Sequence, residues 1–341
     1  MKKLFVILAF VGLGVAAHAQ ALNVSSAYEA QNRGYLKKAK GYIDQAAVNE
    51  QTKADPAMWF YRTLIYCKIG EAIKPESKHK EKAALQQMCP DWYRTAFESV
   101  LAWQQFDKDG EYTSKIRPFF GVIGDAYSNM AIDAQNVAHD YRLAMALEDT
   151  AIMMFNVFGD AAYTNNAYYI AGLAAANLQD FEMVKKYFQP LQKANYNEPK
   201  TAKQVYETLF SAHFQNHDTI NAVKTAKAYV KNCPNDYHAD ILLATAYALN
   251  GNMDKSLETI NGALAKVQDS PKDKAEVLCK VANMYEMSNL YDSAEVRYKE
   301  SLTILPSQYQ ANFGLASIFF NRAADKIAAA DAVPLEDESG L

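Results

Sequence analysis

The sequence predicts an all-α chain built as a solenoid of helix-turn-helix pairs, and three observations carry that expectation. Gly (14) and Pro (10) are scarce for 341 residues, where about 7% and 5% are usual, so an all-β chain with many tight turns is disfavoured. Half the residues are apolar and 22% are charged, enough to bury a core and too apolar for a disordered chain. Small and aromatic residues recur at helical spacing in segments that start at residues 165, 203, 237 and 275, which are 38, 34 and 38 apart. The net charge of −4 asks for no polyanion, so nucleic acid is not expected as a partner.

The elements follow in chain order. Lys2 and Lys3 precede an apolar run, Leu4 to Val15, and Ala17-His18-Ala19 is a small-x-small cleavage site. Residues 1–19 therefore read as a secretory signal peptide cleaved after Ala19. The run is too short to span about 30 Å of hydrocarbon. No cysteine lies near the cleavage site, so a lipoprotein is not expected, and no later stretch reads as an integral membrane segment. The short leader resembles those of exported Bacteroidota proteins, which implies a periplasmic location.

Residues 20–160 carry a weaker helical pattern. Gly34, Leu36, Ala39, Ile43 and Ala46 read as a second-helix half. Pro56 to Tyr66 reads as a first helix whose partner is delayed to Asp91–Phe106 by a charged, Lys-rich insertion at 67–90. A further pair covers roughly Phe119–Phe158. Residues 161–332 are more regular. From Ala275 to Gln308, Leu278, Val281, Ala282 and Tyr285 share one helix face, and Ala294, Tyr298 and Ser301 share another before Pro306. Leu243, Ala244, Tyr247, Gly251, Ser256, Ile260 and Ala263 repeat the pattern one segment earlier. Tyr309–Ala332 gives a last first helix with no second, and 333–341 is an acidic tail.

This large-x2-large-small-x2-aromatic pattern, followed by small, aromatic, small and Pro, resembles the tetratricopeptide repeat (TPR). The resemblance covers nearly all of residues 22–332 and is strong over 165–320. It implies about six to seven repeats in a right-handed superhelix whose first helices line a concave groove. Carried over from the family, the protein-binding groove includes Tyr169, Asn177, Glu207, Phe214, Thr245, Asn283, Glu286, Phe313 and Phe320. The basic clamp of cytosolic chaperone-binding TPRs is not expected, because Tyr169, Glu207 and Glu276 occupy its places. A protein or peptide partner with a neutral or basic segment is expected instead. The last helix carries Phe313, Leu315, Ile318, Phe319, Phe320 and Ile327 on more than one side, so self-association through it is a further expectation.

Other motifs are weaker. His213 and His217 stand four apart, a spacing that can hold a metal, but His213 falls on an inner packing position. Asp107, Asp109 and Glu111 lack the Gly and closing Glu of an EF-hand loop. No P-loop, nucleophile elbow or zincin motif occurs, so no catalytic, metal or cofactor site is expected and the chain is read as a non-enzyme. Asp218-Thr219 and Asp292-Ser293 match an O-glycosylation pattern in turns. Cys67 and Cys89 flank the insertion and are expected to form a disulfide, worth about 3 kcal/mol in the chain-entropy model; Cys233 and Cys279 should lie too far apart to pair. The functional expectation is a periplasmic, non-enzymatic interaction scaffold, possible settings being envelope assembly, secretion and motility. The alternative is a helical-repeat enzyme or small-ligand-binding module.

Overall fold

A computed structural model describes residues 23–331. The leader, its cleavage site and the acidic tail at 333–341 lie outside the described residues. Among the described residues there are sixteen helices and no strand. The chain divides into two compact units, residues 1–174 and 175–341. The boundary falls inside helix α8, and unit 2 starts fourteen residues after the expected start of the regular array at 161.

In unit 1, α1 (residues 23–32) and α2 (Leu36–Ala47) lead into α3 (Pro56–Ile73), α4 (Lys82–Met88), α5 (Trp92–Phe106), α6 (Thr113–Asn136), α7 (Tyr141–Phe158) and most of α8 (Ala161–Asn177). Helix α3 starts where Asp55 accepts the Ala57 N–H at 2.8 Å ahead of Pro56, a capped N-terminus with Pro in the first turn. It then runs past Cys67 to Ile73, so the insertion begins seven residues later than expected. Cys67 and Cys89 are free and buried, and no bridge joins them. Cys67 sits inside a continuing helix at 1% exposure rather than at the base of a loop. The insertion is held by other contacts. Leu85 is fully buried, Lys82 Nζ donates to the Pro75 carbonyl at 2.6 Å, and the Lys37 N–H donates to Glu81 at 3.2 Å.

Helices α6 and α7 close tightly because Gly124 has no side chain. A Cβ there would lie 2.6 Å from the Phe155 ring. Within this pair Glu148 is fully buried. Its Oε1 accepts the Ser128 hydroxyl at 2.8 Å, and its Oε2 has no partner. Burial pushes the carboxyl up to about 8, against the opposing pull of the Ser128 hydrogen bond.

Unit 2 holds α9 (Phe181–Lys193), α10 (Ala202–Gln215), α11 (Thr219–Asn232), α12 (Tyr237–Leu249), α13 (Met253–Lys266), α14 (Pro271–Met287), α15 (Tyr291–Ile304) and α16 (Tyr309–Asp331). Its repeat is set by a two-residue device. Gln179, His217, Gly251 and Asn289 are left-handed, with φ between 56° and 75°. The N–H of the next residue returns to a carbonyl five residues back, as Asp218 does to His213 at 2.9 Å and Asn252 to Tyr247 at 2.9 Å, the closure of a Schellman turn. In three of the four turns that same next residue then caps the following helix, the exception being Leu290. Asp180 accepts the Met183 N–H at 3.1 Å, Asp218 the Asn221 N–H at 3.1 Å and Asn252 the Lys255 N–H at 3.2 Å. One dipeptide thus stops a helix and starts its partner.

Small residues then let paired helices approach. Ala222, Ala226, Ala239 and Ala246 surround Tyr206 and Tyr229, whose rings stack at 4.8 Å. Ala282, Ala294 and Ala311 surround Tyr298. The fully buried tyrosines are Tyr187, Tyr206, Tyr229 and Tyr298, three of them on second helices. Tyr247 and Tyr285, which the sequence pattern marks as core anchors, are only half-buried.

Candidate functional site

The residues expected to bind a partner come together best between α14 and α16. Tyr298 of α15 reaches toward this face through the gap that Gly314 leaves on α16, where a Cβ would sit 2.2 Å from the ring. Its hydroxyl is within hydrogen-bond reach of Asn283 Oδ1 and of Glu286 Oε2 at 2.8 Å, and it has one proton to give. Ser317 donates its hydroxyl to the other Glu286 oxygen at 2.9 Å. Burial raises the Tyr298 phenol, and the hydrogen bond to Glu286 raises it further, so the proton stays on the ring oxygen.

Around this network lies a cleft of about 280 Å³ lined by Asn283, Glu286, Tyr298, Tyr309, Gln310, Phe313, Gly314 and Ser317. A second cleft of about 230 Å³ shares Asn283 and Gln310 and adds Lys272, Glu276, Cys279, Lys280 and Gln308. Burial pushes the Cys279 thiol up to about 11, so it remains unionised there. Tyr309 is 73% exposed, Phe313 65% and Phe320 74%, an unusual outlay of aromatic surface at one helix. This arrangement offers aromatic area, amide donors and acceptors, and charges of both signs. Such groups suit an extended polypeptide whose backbone needs paired hydrogen bonds.

The other expected groove residues are placed differently. Glu207 on α10 is half-buried, and burial raises its carboxyl against the opposing pull of Lys203, His238 and Lys280. Phe214 is 38% exposed and stacks on Phe210. The Thr245 hydroxyl donates to the Ile241 carbonyl of its own helix at 2.8 Å. Tyr169 is half-buried in unit 1, while Asn177 is exposed at the end of α8 in unit 2. Phe320 lies on α16 beyond the cleft lining. So the structure joins Asn283, Glu286 and Phe313 in one place and leaves the remainder outside that cleft.

Tyr298, Lys272 and Lys280 were missed as contributors to this face. A mid-helix glycine at 314 was the available signal, since such a glycine marks a close approach. His213 is 2% exposed whereas His217 is exposed in the turn, so the pair does not converge. Asp107 instead caps its own loop, accepting the Glu111 and Tyr112 N–H groups at 3.1 and 3.3 Å. No group of three metal-competent side chains is gathered among the described residues. No described helix is long and apolar enough to cross a membrane.

No family model matches the chain, and no curated protein matches it. Among solved structures it is similar to the TPR protein YrrB, described as having an unusual peptide-binding site, at 16% identity and a TM-score of 0.42, covering 60% of this chain and 96% of that one. It is similar to the C-terminal part of a TPR repeat-containing protein from Cytophaga hutchinsonii at 14% identity and a TM-score of 0.42, covering 86% and 99%. It is similar to MamA from Desulfovibrio magneticus RS-1 at 17% identity and a TM-score of 0.43, covering 55% and 97%. The repeat architecture itself rests on the recurrent turns and helix pairs of this chain: among the described residues it is an all-α array of helix-turn-helix repeats, and many of the solved structures it is similar to are TPR-repeat proteins.

Proposed function

We propose that the chain is a non-enzymatic protein-interaction scaffold that holds a peptide segment of a partner protein against the α14–α16 face. The observation that carries this reading is the union of exposed Tyr309 and Phe313 with Asn283, Glu286 and Gln310 in one cleft. The aromatic rings supply contact area, and the amides and carboxylate satisfy a backbone laid across them. The partner segment is neutral or basic, because Glu286 is the one charged residue lining the first cleft and Glu276 in the second is offset by Lys272 and Lys280. The protein is exported to the periplasm after cleavage at Ala19, with a role in envelope assembly, secretion or motility. Thr219 and Ser293, at the starts of α11 and α15, are the residues open to O-glycosylation, and α16 is the surface for self-association.

Affinity capture from envelope extract tests the reading. The chain beginning at Gln20 should retain a specific protein that the Phe313→Ala/Phe320→Ala variant loses and the Val296→Ala variant keeps. Equal retention by all three contradicts the assigned face. Capture that weakens steeply with added salt supports a basic partner segment.

A further inference from the structure

A second concave site in unit 2 has a different chemistry. Between α9 and α11 lies a cleft of about 270 Å³ lined by Gln189, Gln192, Lys193, His213, Asn221, Lys224 and Thr225. Its lining holds two cations and no carboxylate, in a chain whose net charge is −4. It is also built in layers. His213 and Thr225 are buried at 2% and 0% exposure, Gln189, Gln192 and Asn221 are half-buried, and Lys193 and Lys224 are exposed. A buried polar floor is costly in a helix pair unless something satisfies it. The Thr225 hydroxyl donates to Gln192 Oε1 at 3.2 Å, which leaves the Gln192 amide hydrogens as donors. His213 Nδ1 stands 3.4 Å from Asp218 Oδ2, a contact too long and poorly aligned for a good hydrogen bond. Asp218 is already engaged by the Asn221 side chain at 2.7 Å and by its N–H.

We propose that this cleft binds a tetrahedral oxyanion, sulfate or phosphate or a monoester of either, between Lys193 and Lys224 with His213 at its floor. Ammonium and amide donors from α9 and α11 match the several acceptor oxygens of such an ion, and charge-assisted bonds of this kind are the strong ones. The groups facing His213 are Asp218 and Glu182, which favour its proton, and Lys185, which opposes it. Burial is the largest influence and keeps the ring neutral near pH 7. An anion beside the ring favours the proton, which Asp218 can then accept as a hydrogen bond from Nδ1. Binding therefore takes up a proton and strengthens as pH falls. This site is independent of the α14–α16 face and stands or falls separately from it.

The test is a titration of the full chain with sodium sulfate at constant ionic strength, followed through the His213 ring signals by NMR. Sulfate keeps its charge between pH 6 and 8, so a pH effect belongs to the protein. Saturable shifts are expected, tighter at pH 6 than at pH 8, with Lys193→Gln and Lys224→Gln each weakening binding about tenfold. Lys227→Gln, on α11 outside the lining, should change nothing, and acetate should bind more weakly than sulfate. Phenyl phosphate distinguishes the two sources. Binding at least as tight as that of inorganic phosphate assigns a monoester, and exclusion assigns the free ion. Shifts linear in sulfate, or a Lys193→Gln/Lys224→Gln variant that binds as the parent does, overturn the proposal.

Discussion

The two units use the same helix pairing but close their turns differently. In unit 2 every first helix from α8 to α14 ends on a left-handed residue, at 179, 217, 251 and 289, and the next helix begins two residues later. In unit 1 a left-handed residue also closes the turn at Gly34, where Tyr35 makes no cap, and at His139, where Asp140 caps α7 but its N–H returns six residues back. Between α3 and α5 the turn is replaced by a segment holding α4. Unit 1 fills its core with larger rings, including Phe60, Tyr93, Trp103, Phe120 and Phe155, and with the buried Glu148. Unit 2 packs alanines around Tyr298 and around the stacked Tyr206 and Tyr229, with Phe188 and Phe210 also buried. Regular turns fix helix separation locally, so small residues suffice. The interrupted α3–α5 pair has no such local constraint and is filled by Phe60, Tyr93 and Trp103, whereas Phe120, Phe155 and Glu148 belong to the regularly turned α6–α7 pair.

The largest expected effect sharpens the contrast in unit 2. Tyr298→Ala removes a fully buried ring and should destabilise by about 3–5 kcal/mol in denaturant unfolding. Tyr247→Ala, half-buried, should cost about half as much or less. Equal losses would mean that the core anchors do not sit on the second helices.

The next effect belongs to unit 1 and depends on pH. Glu148 has a folded-state value raised from 4.5 to about 8. Folding therefore takes up a proton, and the associated stability is complete below the unfolded value of 4.5. It is lost as pH rises toward 8. Glu148→Gln should flatten this slope and exceed the parent in stability at pH 8, on the order of a few kcal/mol. A parent whose stability climbs from pH 5 to 8, with no gain in the variant, contradicts a buried neutral carboxyl.

Much of this contrast was legible in the sequence. Asp180, Asp218 and Asn252 stand where a second helix begins, and the 34- to 38-residue period follows from them. The delayed partner of α3 was visible as a charged stretch. Its true start at Lys74 was not, because Ile69 and Ala72 continue the buried face of α3 beyond Cys67 without any stop residue before Pro75. The candidate site was half legible. Asn283, Glu286 and Phe313 follow from repeat position, but Tyr298 reads as a core residue until Gly314 is seen to open a path for it. The cleft beneath Lys193 and Lys224 depends on residues from three helices, which no single helical period displays.

Smaller effects probe the insertion. Cys67 and Cys89 are buried free thiols, so added reductant should leave the melting temperature unchanged. Peptide mapping under non-reducing conditions should find no Cys67–Cys89 peptide. Burial pushes both thiols up, so alkylation should be slow in the folded chain and fast once it unfolds. A linked peptide would restore the disulfide staple.

The most direct test of the scaffold reading is site-specific photo-crosslinking in the cell of origin. A photoreactive phenylalanine analogue is placed at Phe313 or, as a control, at Val296, which is 53% exposed on α15. The account predicts a discrete crosslinked partner protein from position 313, lost when Tyr309→Ala and Gln310→Ala are added, and none from position 296. Crosslinking at 296 equal to that at 313, or no adduct at 313 from a folded protein, would contradict it.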